Sequence, residues 1–75
     1  MFSHQFQIFM RVVECGSFSK AAKIVYITPA SVMKHINSLE DRLGVILFER
    51  NSRGVTVTSA GNYIYNNCKN IVNEA

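Results

Sequence analysis

Apolar positions recur at helical spacing through the first 43 residues, and the period then changes. Phe6, Phe9, Met10 and Val13 fall at i, i+3, i+4 and i+7, which predicts an amphipathic helix over residues 4–14 with that stripe inward. Gly16 ends it. Ser17 is placed to cap a short second helix whose inward residues are Phe18, Ala21, Ala22 and Val25. The two alanines allow another helix to approach closely. Thr28-Pro29 is a second start signal, with Thr as N-cap and Pro at the first helical position. The third helix carries Val32, Ile36, Leu39 and Leu43 on one stripe, and Gly44 stands where a C-terminal glycine stop belongs.

Beyond Gly44 the residues become β-prone. Leu47-Phe48-Glu49-Arg50 and Val55-Thr56-Val57 flank the turn cluster Asn51-Ser52-Arg53-Gly54, which predicts a two-stranded hairpin with Phe48 in the core. Thr58 is the cap of a last helix carrying Ala60, Ile64, Asn67 and Ile71 at three- and four-residue steps. The pattern is still helical at Ala75, so the sequence reads as part of a longer protein. The expected fold class is mainly α with a small β hairpin: a helix-turn-helix over about residues 18–37 and a wing over about 46–57.

Composition narrows the function. With 75 residues and 48% hydrophobic content, the chain supports one core and leaves no room for a large catalytic cleft. Its longest apolar runs, Ile24-Val25-Tyr26-Ile27 and Val45-Ile46-Leu47-Phe48, are four residues, whereas a membrane span takes about 20. The first residues do not form a secretory signal, so a cytoplasmic protein is expected. No paired nucleophile and base, glycine-rich phosphate loop or metal-ligand set appears, which argues against an enzyme. Cys15 and Cys68 form no CxxC pair, and His4 and His35 are not at ligand spacing. One disulfide or two reduced thiols are both open, and a cytosolic setting favours reduced thiols that pack as small apolar residues.

The net charge of +3 is uneven. Arg11, Lys20, Lys23 and Lys34 face Glu14 alone in residues 1–37, while cations and anions balance in residues 38–75. A polyanion partner suits such a distribution, as does a merely solvated basic face. At about 100° per residue, Ala30, Lys34, Asn37 and Asp41 lie opposite the apolar stripe of the third helix, with Ser31, Met33 and Ser38 on the flanks. A helix that enters a DNA groove needs small, polar or basic residues there, and its N-terminus adds free N–H groups for a phosphate. Residue pattern alone leaves two readings open: a DNA-binding domain, or a winged-helix module that binds protein.

Three segments carry a resemblance. They are Gly16-Ser17-Phe18-Ser19-Lys20-Ala21-Ala22, Ile36 through Leu39-Glu40 and Leu43-Gly44 to Leu47-Phe48-Glu49-Arg50, and Val57-Thr58-Ser59-Ala60-Gly61. In order and spacing, GSFxxAA, IxxLExxLGxxLFER and TxAG resemble the N-terminal DNA-binding domain of LysR-type transcriptional regulators, over nearly the whole chain. The resemblance implies a winged helix-turn-helix over residues 1–58 that binds double-stranded DNA. It also implies the start of a linker helix over 59–75 that forms a homodimer, and a separate effector domain, absent here, that binds a small-molecule inducer. No cofactor is implied within residues 1–75.

By position, the recognition helix opens at Thr28 and Pro29. The family's usual Ser-Gln-Pro-Ala-Leu-Ser-Arg-Gln-Ile is here Thr28-Pro29-Ala30-Ser31-Val32-Met33-Lys34-His35-Ile36, so Pro29 replaces a Gln and Met33 a Ser at base-reading positions. Pro has no amide to donate, and Met offers apolar contact such as a thymine methyl. The resemblance assigns Ala30, Met33 and Asn37, flanked by Ser31, to base edges and Lys34 to a phosphate or a guanine edge. Ser17, Lys20 and Thr28 fall at backbone phosphates, although capping alone explains Ser17 and Thr28. Arg53 is expected to reach phosphate or minor groove from the wing, and Arg50 either DNA or an ion pair that stabilises the wing. Ile24 stands where a polar residue is usual, as an exposed apolar residue or a contact with a partner chain. His35 is expected to pack. Ala60, Ile64, Asn67 and Ile71 are the expected dimer seam, with Asn67 fixing register, or else a weakly amphipathic solvated helix.

Overall fold

Glycines and hydroxyl residues set the element boundaries. The structure, a computed structural model, describes residues 4–52 and 54–74, with the side chains of the last helix described as far as Cys68. Helix α1 spans His4–Cys15 and stops at Gly16, whose φ of 67° suits a residue without a β-carbon and whose N–H closes on the Val12 carbonyl at 2.8 Å. Helix α2 spans Phe18–Val25; its Ser17 cap accepts from the Lys20 N–H at 3.2 Å. It ends on Tyr26 in the left-handed region, φ 61°, so the turn of the helix-turn-helix is made by a tyrosine that is 94% exposed. Helix α3 spans Pro29–Leu43 between the Thr28 cap, which accepts from Ser31 N–H at 3.1 Å, and Gly44 with φ 71°.

Strands β1 (Phe48–Asn51) and β2 (Gly54–Val57) pair antiparallel, with Phe48 opposite Val57 and Arg50 opposite Val55. Leu47 falls just outside the strand that its sequence predicts. It is fully buried, and its N–H and that of Phe48 go to the Glu40 carboxylate at 2.8 and 3.3 Å instead of to a strand. Helix α4 spans Ser59–Glu74 and is capped by Thr58, whose Oγ1 accepts from Gly61 N–H at 3.0 Å and donates to the Ile46 carbonyl at 2.6 Å.

Helix α1 lies in the middle, in contact with α2, α3 and α4. That position corrects the predicted stripe. Ile8 and Val12 are fully buried with Phe9, and Met10 is nearly so, whereas the expected Phe6 and Val13 are only half-buried. A helix covered on three sides has no single inward stripe for the period to reveal. For α2 and α3 the expected stripes largely match: Ala21, Ala22, Val32, Ile36 and Leu39 are buried, Phe18 and Val25 are half-buried against the core, and Leu43 departs, at 39% exposure. Phe48 joins the wing to the helices, its ring 5.6 Å from that of Phe9 and 6.0 Å from that of Phe18.

Cys68 is buried in the core and Cys15 half-buried, both as free thiols. Burial pushes the Cys68 thiol up, which keeps it protonated and unreactive. His4 and His35, distant in sequence, are brought edge to face with ring centroids 5.6 Å apart. Among the described residues no third metal-ligating side chain joins them. None of the described helices is long and apolar enough to cross a membrane.

Candidate nucleic-acid interface

Burial of Val32, Ile36 and Leu39 turns the opposite side of α3 outward. Ala30, Met33, Lys34 and Asn37 are all exposed there and line one hollow of about 500 Å³ with Ser38 and Asp41. Met33 also lines a second groove, of about 290 Å³, whose other walls are Ser17, Phe18 and Ser19 from the start of α2 and Arg50, Asn51, Gly54 and Val55 from the wing. The fold therefore brings Ser17, Ala30, Met33, Lys34, Asn37 and Arg50 onto one continuous surface.

The remaining predicted residues sit at its edges. Thr28 and Pro29 are exposed at the start of α3, and Ser31 is half-buried with its amide in the Thr28 cap. Lys20 is exposed on the first turn of α2. Capping does not compete with a phosphate contact at Ser17 or Thr28. Each hydroxyl uses a lone pair to accept from the helix and keeps its O–H to donate. Arg53 lies outside the described residues. Ile24 is 51% exposed on this face-bearing motif, an apolar residue in the open.

Arg50 is held by three neighbours. Its Nη2 donates to Asn37 Oδ1 at 2.7 Å and lies 4.0 Å from Glu40 Oε1, and its guanidinium carbon sits 5.3 Å from the Phe18 ring centroid. Glu40 in turn holds the backbone N–H groups of Leu47 and Phe48. The sequence places Glu40 in the Leu39-Glu40 pair without giving it a role. Its signal was an acidic residue at the margin of the α3 stripe, just ahead of an apolar run whose amides need acceptors.

The predicted seam of α4 divides between two directions. Gly61 and Cys68 are buried, and Ile64 and Tyr65 pack against the core, so Ile64 serves its own chain at least in part. Ala60 is half-buried, Asn67 is exposed with its Nδ2 donating to the Tyr63 carbonyl at 2.8 Å, and Tyr63 is 71% exposed. These three share a stripe turned about 100° from the core-facing side. The side chain of Ile71 lies outside the described residues.

Comparison with known proteins gives a consistent set of likenesses. The family model described as bacterial regulatory helix-turn-helix protein, lysR family, matches residues 3–62. The HTH-type transcriptional activator AaeR of Escherichia coli K12 is 36% identical over 67 residues, which are 89% of this chain and 22% of that protein. The HTH-type transcriptional activator AllS of Klebsiella pneumoniae is 46% identical over 56 residues, 75% of this chain and 21% of that protein. This chain thus spans about a fifth of the length of these curated relatives. Among solved structures, the BenM DNA-binding domain in complex with catB site 1 DNA superposes with a TM-score of 0.90 at 34% identity, covering 99% of this chain and 83% of that one. The CbnR DNA-binding domain–DNA complex gives 0.89 at 32% identity, covering 97% and 84%.

Proposed function

The chain belongs to the LysR family of bacterial regulatory helix-turn-helix proteins, and from that premise we propose that it binds double-stranded DNA as the DNA-binding domain of a transcriptional regulator. The observation that carries this reading is the outer face of α3. It is exposed at Ala30, Met33, Lys34 and Asn37 and shares one surface with Ser17 and the wing. A recognition helix needs that combination: one face fixed by burial, the other free for a major groove.

Roles follow from chemistry. Ala30, Met33 and Asn37, flanked by Pro29 and Ser31, meet base edges, and Lys34 meets a phosphate or a guanine edge. The hydroxyls of Ser17 and Thr28 and the ammonium of Lys20 hold backbone phosphates, with Arg53 doing so from the wing. Arg50 braces the wing against α3. Residues 1–58 form the DNA-binding unit and 59–75 begin a linker helix. That helix pairs with a second copy along Ala60, Asn67 and Ile71, with Ile64 at the margin of the seam. Two copies place two recognition helices about one DNA turn, roughly 34 Å, apart. The regulator works in the cytoplasm, and a small-molecule inducer acts through an effector domain outside residues 1–75.

Electrophoretic mobility of DNA fragments tests the reading, beginning with the region upstream of the protein's own gene. Retardation is expected at low salt, with affinity falling linearly in log salt concentration. Lys34→Ala is expected to weaken binding and to reduce the salt slope by about one. Failure to retard any fragment at low salt refutes DNA binding.

A further inference from the structure

The amide of Asn37 has its hydrogen-bonding sense fixed by the fold. Arg50 Nη2 meets it at 2.7 Å, and a guanidinium carries only donors, so the atom facing it is the carbonyl oxygen whatever the initial placement of amide atoms. The guanidinium is itself restrained by Glu40 at 4.0 Å and by the face of Phe18. Glu40 is restrained by two backbone N–H groups. The amide NH2, on the other side of the same planar group, is the part of Asn37 left to a ligand on the exposed face of α3.

An unrestrained asparagine pairs with adenine by donating to N7 and accepting from the N6 amino group. At Asn37 the carbonyl already holds one donor. A second would have to approach beside a guanidinium whose positive charge repels amino hydrogens and attracts acceptor atoms. Guanine shows two acceptors at that edge, N7 and O6, and no donor. We infer that Arg50 is a positioning residue that makes Asn37 a donor-only reader, so that the chain favours guanine over adenine at the base pair beneath Asn37. This rests on the DNA reading above, and it assigns a base preference that the residue type by itself would reverse.

Selection of bound sequences from a randomised duplex pool, followed by competition between duplexes differing at one base pair, tests it. Asn37→Ala identifies the pair, as the position where preference collapses. The wild-type chain is expected to favour guanine over adenine there by roughly fivefold or more. Arg50→Met keeps an unbranched side chain without the guanidinium and frees the carbonyl, and is expected to bring that ratio below about twofold or to invert it, with preferences elsewhere unchanged. Arg50→Lys, which keeps a positive donor, is expected to retain guanine. Adenine favoured by the wild-type chain, an Asn37→Ala profile identical to wild type, or an unchanged guanine preference in Arg50→Met each overturns the inference while leaving DNA binding intact. A wild-type chain that enriches no sequence overturns the DNA reading and this inference with it. The wild-type and Asn37→Ala profiles decide the base preference even if Arg50→Met fails to fold.

Discussion

A β-carbon on Gly61 would lie 2.4 Å from the Leu47 carbonyl oxygen and 2.8 Å from Val57 Cγ2, closer than packed atoms tolerate. Gly61→Ala is therefore expected to destabilise the chain by about 1–3 kcal/mol in urea unfolding. In an open helix the same change would stabilise by up to about 1 kcal/mol, so the sign of the effect decides whether close approach is the reason for glycine. The sequence marks Gly61 within the Val57–Gly61 run, but not the segment pressed against it, because that contact joins α4 to a turn before the wing. Asn37 and Arg50 are legible singly in the same way. Each is polar and outward by pattern, yet their hydrogen bond across 13 residues exists only in the fold. Ser17 and Thr28 were fully legible, since an N-cap is a local arrangement of backbone and side chain.

Elements were legible where burial is one-sided. Helix α3 has a buried stripe and an outer face, and its sequence reveals both; α1, enclosed by three helices, hides its inward direction. The wing was legible as a hairpin but not in its attachment, which depends on Glu40 accepting from Leu47 and Phe48. Glu40→Ala leaves those amides without their acceptor. Hydrogen bonds to charged groups contribute about 1.5–3 kcal/mol, so amide exchange at Leu47 and Phe48 is expected to accelerate well before that of Ile36 and Leu39. Equal protection in the variant would show that the wing is held elsewhere. Helix α4 is tied to α1 by the Tyr65 hydroxyl, which donates to Glu14 Oε2 at 3.1 Å. Partial burial, then the hydrogen bond and charge of Glu14, raise the phenol above its ordinary value. Folding thus favours the neutral phenol. This contribution is complete below the ordinary tyrosine range and is lost as pH rises through the raised value. Tyr65→Phe is expected to lessen the alkaline loss of stability seen in thermal melts.

For the molecule as a whole, the outward face of α3, with Lys34 on it, gains meaning from sharing a surface with Ser17 and the wing. The pairing of two chains proposed above would use a different surface, the stripe of Ala60, Tyr63 and Asn67 on α4, where Tyr63 and Asn67 are exposed. Tyr63, 71% exposed, shares this stripe although it is not among the seam residues expected from sequence. Tyr63→Glu is expected to shift sedimentation toward the monomer with helix content unchanged; an unaltered mass distribution would place the pairing surface elsewhere. Amide NMR of the 75-residue chain titrated with its best-bound duplex tests whether DNA is held by the outer face of α3 together with the wing. Shifts concentrated at Ser17, Lys20, Ala30, Met33, Lys34, Asn37 and Arg50 are the predicted result. Shifts absent there, or confined to α1 and the exposed stripe of α4, would contradict it.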